Sequence, residues 1–241
     1  MNLTSVFGYS KRRKNVAGPK TIVEQYSKIS FSQSGEDLIV KYIFDCLAIT
    51  HPSYIDIGAH HPFYLSNTAL LYQNGSRGIN IEPDPTLFMS FKEYRKLDIN
   101  LNIGISDKES ELDFYIISTP TLNTFAKDEA EKYANEGDYS IEKIQKIKVN
   151  TLQHTIDNFS YGRFPDFLSV DAEGIDELIV KSINFNTNFP KVICMETISF
   201  STKGRGTKNS AMINYLIDNG YLVYADTNIN TIFVRNDIWE R

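Results

Sequence analysis

The chain has 241 residues, with 25 Lys and Arg against 30 Asp and Glu, a formal charge of −5 and a hydrophobic fraction of 41%. That length carries one large globular core, or one core with an arm, and mild acidity is wrong for a protein that coats nucleic acid, which needs a basic face. Two cysteines, Cys46 and Cys194, exclude a disulfide framework and a four-cysteine zinc site, and both are expected as buried thiols.

Residues 1–30 read as a polar arm. Its basic run, Lys11 to Lys14, has no apolar stretch behind it, so it lacks the form of a signal peptide and is expected to be solvated. No stretch approaches the ~18 apolar residues of a membrane span, and a cytoplasmic location is the expectation. Residues 31–241 read as one domain. Leu38/Ile39, Tyr42/Ile43 and Cys46/Leu47 recur every four residues, which predicts an amphipathic helix. Ser53 to Ile57 is a short strand running into Gly58. A helix over 62–74 follows, closed by Asn74 and Gly75.

Gly78 to Glu82 is a second strand. Pro85 opens a helix with Leu87, Phe88, Phe91 and Tyr94 on one face, and Ile99 to Ile105 is a third strand. This β-α-β-α-β run predicts a parallel sheet with helices on both faces. The alternation then pauses. Glu111 to Ile117 reads as an extra strand, Lys127 to Asn135 as a polar helix and Ile144 to Leu152 as strand plus turn, so 107–150 is taken as an insertion. It resumes with strands at Asp166 to Asp171 and Lys191 to Glu196, around a helix at Ile175 to Ser182. Asn209 can cap a helix that Gly220 ends. Tyr221 to Ala225 and Thr231 to Val234 predict a terminal antiparallel hairpin.

In an open parallel sheet, ligands bind beyond the C-terminal strand ends. Here nearly every such end carries an acid: Asp56, Glu82, Asp107, Asp171 with Glu173, and Glu196. They repel one another unless something cationic sits among them. A dinucleotide site wants G-x-G-x-x-G after the first strand. This junction has one glycine, then Ala59, His60, His61 and Pro62, and Pro62 has no N–H to give a phosphate. Glu82 is placed to accept hydrogen bonds from two ribose hydroxyls. Ribose together with positive charge points to S-adenosylmethionine (SAM).

The chain resembles the FkbM-type class I methyltransferases. The resemblance spans about Phe31 to Val234 and rests on Phe31-Ser-Gln-Ser-Gly-Glu-Asp37, Asp56-Ile-Gly-Ala-His-His-Pro62, Ser66-Asn-Thr68 and Gly78-Ile-Asn-Ile-Glu-Pro83. It continues in Phe167-Leu-Ser-Val-Asp-Ala-Glu-Gly174, Val192-Ile-Cys-Met-Glu-Thr197 and Tyr224-Ala-Asp-Thr-Asn-Ile-Asn-Thr-Ile-Phe-Val234. His60 and Pro62 depart from the family's usual first loop. The resemblance implies an α/β, Rossmann-like class I methyltransferase fold: a mostly parallel seven-stranded sheet with an antiparallel C-terminal hairpin. It also implies O-methylation of a carbohydrate or other polar acceptor, small molecule or glycan.

For the cofactor, the resemblance implies contacts from Asp56, Gly58, Ala59, His60, Glu82 and Pro83. It puts Ser106 and Asp107 beside the adenine and Gln33 and Glu36 where they can close over the site; Asp171 is counted among the cofactor contacts as well. A sugar hydroxyl has a pKa far above neutrality, so a base must lie within ~3 Å of it. Asp171 and Glu173 lead as that base, followed by His61 and His60. The acceptor pocket is expected from Thr119 to Phe125 (Thr124 within it), Glu196, Phe200 to Arg205, and the turn with Asn228 and Asn230. Lys203, Arg205 and Lys208 suit a phosphate on the acceptor. Asp171 and Glu196 are able to hold a hard divalent cation, but no metal site is expected. The competing readings are a nicotinamide-dependent oxidoreductase and a methyltransferase-like binding module without turnover.

Overall fold

The computed structural model describes residues 21–200 and 206–240. After a short α1 (Ile22–Tyr26) come α2 (Glu36–Cys46), β1 (Tyr54–Ile57), α3 (Ala69–Gln73), β2 (Gly78–Ile81), α4 (Pro85–Tyr94) and β3 (Ile99–Leu101). The middle of the chain forms β4 (Gly104–Ser106), β5 (Ser110–Ile117), α5 (Lys127–Glu136), β6 (Ile141–Thr151) and α6 (Leu152–Phe159). The alternation closes with β7 (Phe167–Val170), α7 (Asp176–Lys181), β8 (Val192–Glu196), α8 (Ser210–Asp218), β9 (Tyr221–Asp226), β10 (Asn230–Arg235) and α9 (Asn236–Trp239).

Seven strands form one sheet in the order β3-β2-β1-β7-β8-β10-β9. The first five run parallel, while β10 is antiparallel to both β8 and β9. This is the doubly wound sheet with an antiparallel last pair that the resemblance implies. Period-two alternation splits the core across it. Ile55, Ile57, Ile81, Leu168, Val170 and Ile193 pack on one face with Leu152, Ile179 and Leu216 of the helices. Tyr54, Phe167, Val192 and Ile232 pack on the other with Val40, Ile43 and Phe44 of α2. Tyr54 pairs with Gly78 and Phe167, and Ile57 with Ile81 and Val170, so Gly58, Glu82 and Asp171 all follow at one level of the sheet.

Local chemistry explains the element ends. Asp84 caps α4, accepting from the N–H groups of Thr86 and Leu87, with Pro85 as first helical residue. Asn209 caps α8 through Met212 N–H, as its position in the sequence predicts.

Four expectations need correction. The predicted third strand splits: after Leu101 the chain turns at Asn102, whose side-chain amide donates to the carbonyls of Glu82 and Pro83 (2.8 and 2.9 Å), and Gly104 starts a separate three-stranded sheet, β4-β6-β5. The predicted helix over 62–74 is helical only from Ala69; before it, Leu65 holds a left-handed φ of 56° and the Pro62 carbonyl accepts from Arg95. The turn expected after Ile144 to Leu152 is instead a full helix, α6, capped by Thr151. Cys194 is buried but Cys46 is exposed. The basic run Lys11 to Lys14 lies outside the described residues. Among the described residues, no helix is long and apolar enough to cross a membrane.

Candidate active site

The first loop is built by two close approaches. Gly58 and Ala59 both donate to the Ile81 carbonyl (3.0 Å each), which bends the chain over β2. Gly58 has φ 74°, and a Cβ there would stand 1.8 Å from the Asp171 carbonyl oxygen. The glycine is therefore required by the convergence of β1 and β7, independently of any ligand. Gly58→Ala is expected to cost about 1–3 kcal/mol from backbone strain, with further loss from the clash, read as a lowered urea midpoint.

His60 follows with φ 53° and donates its backbone N–H to Glu82 Oε2 at 2.7 Å, while Asp84 N–H donates to Glu82 Oε1 at 2.7 Å. Each carboxylate oxygen keeps a further acceptor position. Burial pushes Glu82 up to about 8, opposed by those two N–H groups. Asp56 is also buried. Its Oδ2 accepts from Thr68 Oγ1 at 2.7 Å, and burial outweighs Thr68 and Arg95 in raising its carboxyl.

Past β7 and β8 three acids converge. Asp171, Glu173 and Glu196 bring carboxylate oxygens within 4.8 Å of one another, a spacing at which they can share protons or a hard cation. Asp171 opens onto a cavity yet is walled by protein, and burial, then Asp176 and Asp56, push it up to about 7. Burial, then Asp171 and Asp176, push Glu196 up to about 9. Burial, then Asp171 and Glu196, hold Glu173 well above the ordinary carboxyl range. Glu173 is fixed from the second sheet's side. Its backbone takes φ 44°, Thr124 Oγ1 donates to its carbonyl at 2.5 Å, and Tyr133 OH donates to its Oε2 at 2.9 Å.

These groups line one cavity of about 350 Å³ above the strand ends. It brings together the sequence-predicted Gln33, Asp56, Gly58, Ala59, His60, Glu82 and Pro83 with Asp171, Glu173, Glu196, Asn228 and Asn230.

Other expected residues are placed elsewhere. Ser106 and Asp107 lie off the cavity, because the chain has already left the main sheet; Ser106 Oγ bonds to Asp107. Thr124 is buried on Glu173's carbonyl rather than lining the cavity. His61 points into its own loop, where Nδ1 accepts from Phe63 and Tyr64 N–H. Glu36 is buried beside β10, off the cavity. Lys208 is bound to Asp226 and to the Asn228 carbonyl. Lys203 and Arg205 lie outside the described residues.

Within the expected Thr119 to Phe125 stretch, Leu122, Asn123 and Phe125 line the cavity; the sequence reading missed the apolar wall of Leu87, Ile105 and Phe114, and Tyr133, whose ring meets Phe200 at 4.5 Å. The spacing of Leu87 on α4 was a usable signal. The rest come together only through the second sheet.

A doubly wound sheet with an acid-lined cavity at its C-terminal edge and an antiparallel final pair defines a Rossmann-like class I methyltransferase fold. The chain belongs to the FkbM methyltransferase domain family, which it matches over residues 56–223. No curated protein matches the sequence significantly. Among solved structures the chain is similar to a precorrin-6y C5,15-methyltransferase from Geobacter metallireducens, at 13% identity over 82% of this chain and 87% of that one, TM-score 0.40. It is also similar to a 1,6-didemethyltoxoflavin-N1-methyltransferase from Burkholderia thailandensis, solved with 1,6-didemethyltoxoflavin and S-adenosylhomocysteine. There the identity is 6% over 84% of this chain and 77% of that one, TM-score 0.40.

Proposed function

We propose that this chain is a SAM-dependent O-methyltransferase acting on a hydroxyl of a carbohydrate acceptor, with residues 31–241 as one domain whose 107–150 segment walls the acceptor side. The observation that carries the reading is the division of the cavity. One end holds Glu82, a bidentate acceptor suited to a vicinal diol, beside the apolar slot of Leu87, Ile105 and Phe125 suited to a base. The other end holds the three-acid cluster.

The donor set fits SAM. The buried Glu82 keeps acceptor positions beyond its two N–H partners, and a bound sulfonium would favour the ionised form of the acids that face it. Phe200 adds an apolar face for the C–H side of a sugar ring.

When bound, SAM supplies a methyl group activated by its sulfonium. The chain's work is then alignment and proton removal. Glu82 holds the two ribose hydroxyls. Asp171 accepts the proton of the acceptor hydroxyl. A carboxyl raised to about 7 is partly ionised at neutral pH and more basic than an ordinary aspartate. Glu196, raised to about 9, keeps its proton at neutral pH, and Glu173, raised by burial and by Asp171, is held by Tyr133; both serve as hydrogen-bonding groups to neighbouring hydroxyls.

The test is thermal unfolding with S-adenosylhomocysteine (SAH), SAM and NAD in parallel. A ligand at 100 times its Kd stabilises by about 2.7 kcal/mol, or roughly 5–10 °C for a chain of this size. A shift with SAH and SAM alone is expected. A shift with NAD alone overturns the reading in favour of an oxidoreductase. Sugar and glycan acceptors are then screened for methyl incorporation, with and without magnesium.

A further inference from the structure

Two carboxylates that no step above uses are wholly buried and have no cationic partner among the described residues. Glu36 and Asp37 open α2, each at 0% exposure. A buried anion survives only when its oxygens are saturated with donors. Asp37 gathers Ser30 Oγ (2.6 Å), Phe31 N–H (2.7 Å) and Ser32 Oγ (2.9 Å), which folds residues 30–35 into a strap before α2. Glu36 gathers Ser34 N–H (2.7 Å) from the strap, and Thr227 Oγ1 (2.7 Å) and Asn230 Nδ2 (3.1 Å) from the β9–β10 turn. The start of α2 adds its helix dipole to both anions.

The strap is also tied to the first loop. The Phe31 carbonyl accepts from Ser66 N–H at 2.9 Å, and the Phe31 and Phe63 rings lie 5.9 Å apart. Between these two ties Gln33 lines the cavity, and Asn228 and Asn230 line it from the turn. The two walls come from opposite ends of the described chain, and the Glu36 carboxylate is bonded to both.

We propose that Glu36 is a positioning residue, a clip that joins the 30–35 strap to the β9–β10 turn so that Gln33 and Asn228 flank the bound cofactor. The inference rests on the SAM reading above. It replaces the direct cofactor contact expected of Glu36 with an indirect one. The carboxylate is specifically required. All three partners of Glu36 are donors, and an amide would turn its own N–H₂ against one of them.

The experiment is calorimetric titration of SAH into the wild-type chain and three variants: Glu36→Gln, Thr227→Val, and Glu36→Gln combined with Asn230→Asp. Glu36→Gln is expected to weaken SAH by about 10- to 100-fold, the range for loss of hydrogen bonds to a buried charge. Thr227→Val, which removes one donor, is expected to weaken it by a smaller factor. The double variant restores donor–acceptor pairing across the contact and is expected to recover most of the affinity.

A purely structural role would lower the melting temperature and leave SAH affinity alone. Unchanged affinity in Glu36→Gln overturns the clip, as does a double variant no tighter than the single one. If Glu36→Gln does not fold, Thr227→Val decides by the same criterion, with unchanged affinity overturning the clip. A wild-type chain that binds no SAH overturns the cofactor reading itself, and with it this role for Glu36.

Discussion

Asp171→Asn is expected to slow methyl transfer by about 10²- to 10⁴-fold, the range for a positioned general base, while SAH affinity is kept. It is also expected to raise the melting temperature at pH 8. Both effects come from one cause. Asp171 opens onto the cavity yet is walled by protein beside Asp176 and Asp56, which raises its carboxyl to about 7. Glu82 and Glu196 are raised to about 8 and about 9.

A carboxyl raised in the folded state keeps its proton where the unfolded chain has already lost it, so stability falls as pH rises. For these three groups the loss runs from about pH 4, the ordinary carboxyl value, through their folded values of about 7 to about 9. Asparagine cannot ionise and drops Asp171's share of the loss. The variant and wild type should therefore melt alike below about pH 4 and diverge by pH 8, with the variant higher. Wild-type transfer should rise with pH through about 7 as Asp171 loses its proton. Full activity in the variant would move the base to another cavity group, with His60, neutral through burial, as the next candidate.

Arg95→Met is expected to lose about 3–5 kcal/mol, the usual cost of leaving one partner of a buried ion pair uncompensated. On a chain of this size that is roughly 10 °C. Arg95 is entirely buried. Its Nε donates to Asp98 Oδ2 (2.8 Å), Nη1 to the Pro62 carbonyl (3.0 Å), and Nη2 to Tyr54 OH (2.8 Å) and Thr68 Oγ1 (3.2 Å). The Tyr72 ring covers the guanidinium at 4.5 Å.

This side chain links both ends of the first loop to the sheet, and Thr68 in turn holds Asp56. Arg95→Lys should rescue little, because an ammonium cannot span that planar fork of partners. Urea unfolding measures the loss, and a midpoint unchanged from wild type would show that the network contributes nothing net.

The main sheet was legible because its strands carry their own signal: short apolar runs, most of them ending at an acid or a glycine. Pro85, Asn209 and Gly220 marked helix ends through local backbone chemistry, which a sequence shows directly. Arg95 was not legible. It sits in Glu93-Tyr-Arg-Lys96, which reads as a solvated helix end, and only the packing of the first loop buries it.

Glu36 and Glu82 look alike in sequence, an acid near a glycine, yet one clips backbone segments together and the other lines the cavity. The difference lies in partners far along the chain. Ser106 and Asp107 were misplaced for a related reason. Strand periodicity continues across Asn102, whose two side-chain hydrogen bonds turn the chain out of the sheet.

The strand order also sets a timetable for synthesis. β10 follows every other strand in the chain and inserts between β8 and β9. Until it emerges from the ribosome, β8, buried from Val192 to Met195 in the finished fold, presents a bare edge. Unpaired apolar edges invite pairing with other chains. The same delay withholds Thr227 and Asn230 from Glu36, so the anion at the start of α2 waits for its donors until the last hairpin arrives. The nascent chain is thus most exposed to misassembly between the emergence of β8 and that of β10, and conditions that slow translation of this stretch should lower the yield of folded protein.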